Sequence, residues 1–264
     1  MPITFKRAGQ EAVTLENVSF KGVALDKVTF KRAGQEAVTV FEKAGPAMPV
    51  KGDIITLDSK QYRVLKLNGT VAEVLCMYDA NSSIVFDSAS DYNNTYAGKN
   101  IDTYCNNTFY SGLSAAMKSA IVDKTFTQDS WKWDSSVPTE SHYTGKRGSS
   151  TYYYLTLKNA AYGSSITRHC YCLSVQDVLD YLEATTSMGT SDTTLTDTNI
   201  WKMFWNATAS QGSTSILLRS AYSWNSSEVF LASNESGRLF HNYAFATAAA
   251  RPAFQIDLSK IAWS

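Results

Sequence analysis

GDIITLDSKQYRVLKLNGTVAEVLCMY, Gly52–Tyr78, is the stretch whose reading decides the fold. Its apolar positions, among them Ile55, Leu57, Tyr62, Val64, Val71 and Val74, fall in short runs rich in β-branched and aromatic side chains. Asp58-Ser59 and Asn68-Gly69 interrupt those runs at hairpin spacing. Asn-Gly is the stronger turn signal, because tight hairpin turns need positive φ. The stretch predicts a three-strand meander.

Working toward the C-terminus, a polar Ser/Asn-rich loop is expected over Asn81–Asn100. LSAAMKSAIVDK, 113–124, predicts a helix with Ser114 as N-cap and Leu113, Met117, Ala120 and Ile121 on one face. A second helix is expected from Ser174, where Ser174 and Asp177 have capping-box spacing. Its Val175, Val178, Leu179 and Leu182 form the apolar stripe. TYYYLTLK, 151–158, predicts a strand, and NIWKMFWNAT, 199–208, a short aromatic turn with Trp201, Phe204 and Trp205 as core anchors. SILLRSAYSW, EVFLAS, GRLFHNYAFA and ARPAFQIDL, between 215 and 258, predict four short strands. Strands at both ends with helices between them define an α+β class, in which the first and last strands can pair.

Working toward the N-terminus, TFKRAGQEAVT occupies Thr4–Thr14 and recurs at Thr29–Thr39. Small strands with tight turns are expected there, and such units must stack on neighbours to bury a face. Residues 1–49 are therefore read as a β-rich repeat segment, an oligomeric stalk or connector. Gly45-Pro46 and Pro49 mark its end. Residues 50–264 form the second domain.

Composition narrows the function classes. The formal net charge is zero and only 18% of residues are charged, so nucleic acid is not an expected partner. With Tyr 15, Phe 12 and Trp 6, affinity would come from aromatic area and hydrogen bonds. No run approaches a membrane span, and MPITFKRAGQ lacks the apolar core of a secretory signal. No membrane insertion is expected, and an extracellular role would require lysis or carriage on a particle.

Cys76, Cys105, Cys170 and Cys172 contain no C-x-x-C pair. They are read as buried small residues, although His169 beside Cys170 and Cys172 is a faint zinc hint. No metal and no cofactor is expected. Phosphate loops, dinucleotide fingerprints, zinc-protease helices and nucleophile elbows are absent, and no catalytic residue is assigned. Ser141-His142 reads as a loop dipeptide. Asn-x-Ser/Thr triplets, such as those at Asn68, Asn93 and Asn225, are attributed to an Asn/Ser/Thr-rich composition.

The meander, IDTYCNNTFYSGLSAAMKSAIV at 101–122, and above all Leu218-Arg219-Ser220 with Arg251-Pro252-Ala253-Phe254, carry a resemblance. They resemble C-type-lectin-fold ligand-binding domains of phage tail and surface proteins, some of which are hypervariable targets of diversity-generating retroelements. The resemblance covers roughly Val50–Ser264 and implies a C-type-lectin-like domain following the repeat segment. It also implies a non-enzymatic receptor-binding protein of a phage tail fibre, carried in the virion and displaying a variable surface.

In such systems adenine-directed changes rewrite AAC or AAT codons, which cannot become Trp, Glu, Lys or Met. Under that filter Trp224, Glu228 and Glu235 are fixed. The ligand-binding variable face is Tyr222, Ser223, Asn225, Ser226, Ser227, Phe230, Ala232, Phe240, His241, Asn242, Tyr243, Phe245 and Thr247. FHNYAF has the aromatic and small polar mixture of a binding surface, although strict alternation would turn half of it into the core. Arg219 and Arg251 are expected to be scaffold residues tying loop carbonyls or a carboxylate, with Asp257 a candidate partner.

The expected partners are a host-cell surface protein or glycan, and further copies of the chain as a homotrimer or other homo-oligomer. The rival reading is a bacterial surface adhesin or carbohydrate-binding module of fixed specificity. An oxidase of the formylglycine-generating kind would need a copper-binding cysteine pair, and His169-Cys170-Tyr171-Cys172 does not match that pattern.

Overall fold

The two copies of the repeat fold alike. In the computed structural model, β1 (Ile3–Phe5) pairs with β2 (Val13–Leu15), placing Thr4 opposite Thr14 and Phe5 opposite Val13. β3 (Ser19–Phe20) and β4 (Val23–Ala24) make a second hairpin. β5 (Lys27–Phe30) pairs with β6 (Val38–Glu42), placing Thr29 opposite Thr39 and Phe30 opposite Val38. Identical sequence therefore gives identical register. The structure describes these strands together with residues 47–88, 93–134, 141–147, 151–182, 195–196, 203–204, 215–233 and 237–264. Met1–Met48 and Pro49–Ser264 form separate units.

In the second unit, β7 (Ile54–Leu57), β8 (Lys60–Asn68) and β9 (Val71–Cys76) form the antiparallel meander. Asp58 and Ser59 take the positive φ that the first tight turn demands, and Gly69 does so at the second. β10 (Asn81–Val85) follows, where a loop was expected. α1 (Asn100–Thr103) runs into a π-helical turn over Tyr104–Phe109. α2 (Ala115–Ala120) starts where Ser114 Oγ accepts from the Met117 N–H at 3.1 Å. It stops before β11 (Ile121–Val122), whose β-branched residues pair with β20 (Ala253–Asp257).

The long strands β12 (Lys124–Asp134) and β14 (Thr151–Arg168) pair with each other, and β13 (Ser141–Arg147) lies outside β14. α3 (Val175–Leu182) opens with a reciprocal capping box: Ser174 N–H donates to Asp177 Oδ2 at 2.8 Å, and Asp177 N–H to Ser174 Oγ at 3.0 Å. β15 (Leu195–Thr196), β16 (Ser215–Tyr222), β17 (Glu228–Ser233), β18 (Arg238–Tyr243) and β19 (Thr247–Ala250) complete the elements described.

The described residues overturn the α+β expectation. The protein is mostly β-strand, arranged in mixed and antiparallel sheets, and its helices are brief. The C-type-lectin-like architecture expected with that class is corrected along with it. The physical reason lies in 121–134 and 81–85, where β-branched and aromatic residues extend into sheet instead of continuing a helix or loop. One sheet runs β11-β20-β9-β8-β7. The larger runs β13-β14-β12-β16-β17-β18-β15, with β19 parallel to β16 and antiparallel to β10. Thr56 and Ser264 exchange backbone hydrogen bonds, closing the unit end to end.

Two apolar clusters result. One packs Tyr62, Val64, Val74, Met117, Phe254 and Ile256 around the meander. The other packs Trp131, Trp133, Val178, Leu217 and Phe230 beneath the larger sheet. Phe204 is buried in it, whereas Trp201 and Trp205 lie outside the described residues. Arg219 and Arg251 are both buried. Arg219 donates to the Cys172 carbonyl and to Asp177, each at 2.6 Å. Arg251 donates to the Phe204 carbonyl at 2.5 Å and to Asp79 at 2.7 Å. Asp257 instead caps its own turn through Ser259.

Candidate functional site

β17 and β18 pair with Glu228 opposite Tyr243 and Phe230 opposite His241. Opposed residues share a face, so Glu228, Phe230, His241 and Tyr243 line one side of the hairpin. Tyr222, at the end of β16, joins them. Its ring stacks on His241 with centroids 3.8 Å apart and planes 8° from parallel, and meets Phe230 edge-on at 5.9 Å. His241 Nδ1 lies 2.5 Å from Glu228 Oε2, and Asn225 Nδ2 donates to the other carboxylate oxygen at 2.8 Å. Burial, with the Glu228 charge adding to it, pushes the Tyr222 phenol up to about 12.

This rigid array carries an aromatic rim. Trp224 is 61% exposed, Tyr243 46% and Phe245 45%. Tyr243 and Phe245 stack on each other at 5.0 Å, and Lys132 Nζ lies 5.6 Å from the Trp224 ring centre. Lys132 also pairs with Asp134 at 2.5 Å. Both carboxylates of the face are engaged, Glu228 by His241 and Asn225, and Asp134 by Lys132.

The variable-face residues named from sequence separate into three groups. Ser223, Ser226, Asn242, Tyr243, Phe245 and Thr247 are exposed. Asn225, Ser227, Phe240 and His241 are half-buried, with Phe240 on the opposite side of the hairpin, across from Leu231. Phe230, Ala232 and Tyr222 are buried, so they shape the surface from beneath. Trp224, set apart by codon arithmetic, is the most exposed of these aromatics. Glu228, likewise set apart, orders the array. Glu235 lies outside the described residues.

Sequence reasoning also missed Asn94. Its Nδ2 contacts the carbonyl oxygens of Tyr222, Asn225 and Glu228 at 3.1, 3.1 and 2.8 Å, and its Oδ1 accepts from Tyr162 Oη at 3.0 Å. Its only signal was membership of an Asn-rich stretch.

A second concavity, a cleft of ≈ 1080 Å³, lies between α3 and the β8–β9 hairpin. Lys124 reaches Glu73 at 2.7 Å and Asp177 at 3.5 Å on its floor. Burial opposes ionisation of Asp177, yet Arg219 and Lys124 hold its carboxyl well below the usual range. Neither cysteine, serine nor histidine occurs among the described residues lining this cleft.

No group of three or more potential metal ligands converges among the described residues, including around His169. No helix among them is long and apolar enough to cross a membrane.

A mostly β protein with an aromatic-rimmed sheet end is the class that these features define. The model of a family described as a domain of unknown function (DUF6273) matches residues 72–258, and the chain belongs to that family. The match spans the whole aromatic face. No curated protein and no solved structure matches the chain.

Proposed function

We propose that this is a non-enzymatic ligand-binding protein whose contact surface is the aromatic end of β16–β18. The supporting observation is the exposure of Trp224, Tyr243 and Phe245 on a scaffold fixed by the Tyr222–His241–Glu228 array. Large aromatics left at a surface and held rigidly supply contact area at low entropy cost. With its carboxylates already engaged and its rim aromatic, the face favours an uncharged, hydroxyl-rich ligand, and Ser223, Ser226 and Asn242 supply adaptable hydrogen bonds. A cell-surface glycan fits this description. Titrating purified bacterial surface polysaccharides against the chain in a calorimeter, a readout that does not depend on tryptophan, tests the reading. A saturable change lost in Trp224→Ala supports it. Saturation unaffected by that substitution contradicts it.

In its fuller form the reading places the chain on a phage tail fibre, with a retroelement diversifying the face. The repeat supports oligomeric carriage: β1–β2 and β5–β6 share one register, and isolated two-stranded hairpins are marginal in water. A homotrimer or other homo-oligomer would bury them, and light scattering on the full chain would reveal a monomer if that is wrong. A fixed-specificity adhesin is the second reading. It is favoured by the central positions of Trp224 and Glu228, whose codons adenine-directed change cannot reach. Sequencing the locus across related isolates separates the two. Diversification requires changes clustered at Ser223, Asn225, Ser226, Asn242, Tyr243, Phe245 and Thr247, with Phe230 and Ala232 silent. An adhesin gives scattered changes.

A further inference from the structure

The four cysteines do not share one environment. Cys76 and Cys170 lie in the cluster around the meander, whereas Cys105 and Cys172 lie in the cluster beneath the larger sheet. Cys105 Sγ and Cys172 Sγ are 3.6 Å apart, and both residues are fully buried.

The segments that carry them are joined on either side of the pair. Arg168 grips Asp102 with Nε and a terminal nitrogen at 2.7 and 2.6 Å. His169 N–H donates to Asn106 Oδ1 at 2.9 Å. Cys172 is fixed at both backbone groups: its N–H donates to Tyr96 Oη at 3.2 Å, and its carbonyl accepts from Arg219 at 2.6 Å. The π-helical turn and the chain leaving β14 are thus zipped together, with two thiols facing each other inside the zip. A disulfide needs sulfurs about 2.05 Å apart, so each sulfur would move by less than about 1 Å.

We propose that Cys105 and Cys172 are a disulfide-forming pair that closes in an oxidising environment. Two S–H bonds break and one S–S bond forms. Two electrons and two protons pass to a small-molecule disulfide such as oxidised glutathione, which leaves as two thiols. Burial and the neighbouring Cys172 sulfur push the Cys105 thiol up, so thiolate attack is slow in the folded protein. The bond therefore forms as the chain folds, and the core then shields it from reductant. Cys76 and Cys170 remain thiols. The bond would tie 102–106 to 168–172 across the loop that contains β12 and β14, and β12 supplies Lys132 to the aromatic face. The proposal stands whether or not that face binds a ligand.

The test is refolding of the full chain in a glutathione redox buffer and, separately, in excess dithiothreitol, with thiols then alkylated under denaturing conditions. Non-reducing peptide mapping should show a Cys105–Cys172 peptide, lighter by two hydrogens than its separate parts, with Cys76 and Cys170 alkylated. The oxidised form should melt roughly 5–15 °C above the reduced form. Cys172→Ala should abolish the difference, and Cys76→Ser should keep it. The peptide map of the unsubstituted chain decides the matter even if a variant fails to fold. Four alkylated cysteines after oxidative refolding, or a bond using Cys76 or Cys170, would overturn the proposal.

Discussion

Asn94 donates from Nδ2 to the main-chain oxygen of Glu228 at 2.8 Å, across a sequence separation of 134 residues. Asn94 is 1% exposed, and the same amide group reaches the carbonyls of Tyr222 and Asn225. One buried side chain therefore shapes the loop that presents Trp224 and starts the strand that carries Glu228.

Asn94→Ala removes these donors from the Tyr222 and Glu228 carbonyls, while the Asn225 carbonyl keeps the Glu228 N–H at 3.1 Å. It should cost about 2–3 kcal/mol in urea denaturation. Asn94→Asp should cost more, because a carboxylate would face three carbonyl oxygens. An unchanged midpoint in both variants would show that the loop holds itself.

Asp177 caps α3 and pairs with buried Arg219, so Asp177→Asn takes away the carboxylate that the buried guanidinium hydrogen-bonds, leaving it the Cys172 carbonyl and the nearby Asp129 charge. A loss of about 3–5 kcal/mol is expected at neutral pH. Because the folded-state pKa is depressed, the contribution is fully present above the unfolded value of about 3.9 and is lost as pH falls toward the lower folded value. The stability gap between wild type and variant should be constant above about pH 5 and narrow below pH 4. A gap that grows in acid would contradict this assignment.

Alkali should destabilise the fold through its buried phenols. Tyr222 and Tyr104 are both pushed up to about 12, chiefly by burial, and burial also pushes up Tyr62, Tyr96 and Tyr171. Phenols ionise near pH 10 in the unfolded chain. Stability should therefore be intact below about pH 10 and fall as pH rises through 12. Ultraviolet titration of phenolate should show a delayed group whose ionisation coincides with loss of near-ultraviolet dichroism. Complete titration near pH 10 in folded protein would contradict it.

Local signals in the sequence were readable where the physics is local. The Ser174–Asp177 box, the Ser114 cap and the turns at Asp58-Ser59 and Asn68-Gly69 all depend on residues a few positions apart. The helix expected over 113–124 is cut short because Ile121-Val122 find a partner in β20, and no local pattern announces that partner. Phe230 and Ala232 were placed on a ligand-facing surface, yet β17 lies between β16 and β18 and is buried on both faces. Alternation distinguishes two faces of a strand, but not whether both are covered. Arg219 and Arg251 were legible as scaffold, because a cation within an apolar run must find oxygen. Asn94 was not legible, because its three acceptors come from a segment distant in sequence.

The most direct measurement is binding of labelled protein to intact bacterial cells and to their purified surface polysaccharide, comparing wild type with Trp224→Ala. Trp224 is exposed, so the substitution should leave the melting temperature nearly unchanged. If the aromatic rim is the contact surface, affinity should fall about thirtyfold or more, the size expected for an aromatic anchor. Undiminished binding by a folded Trp224→Ala protein would contradict the central claim and move attention to the cleft beside α3.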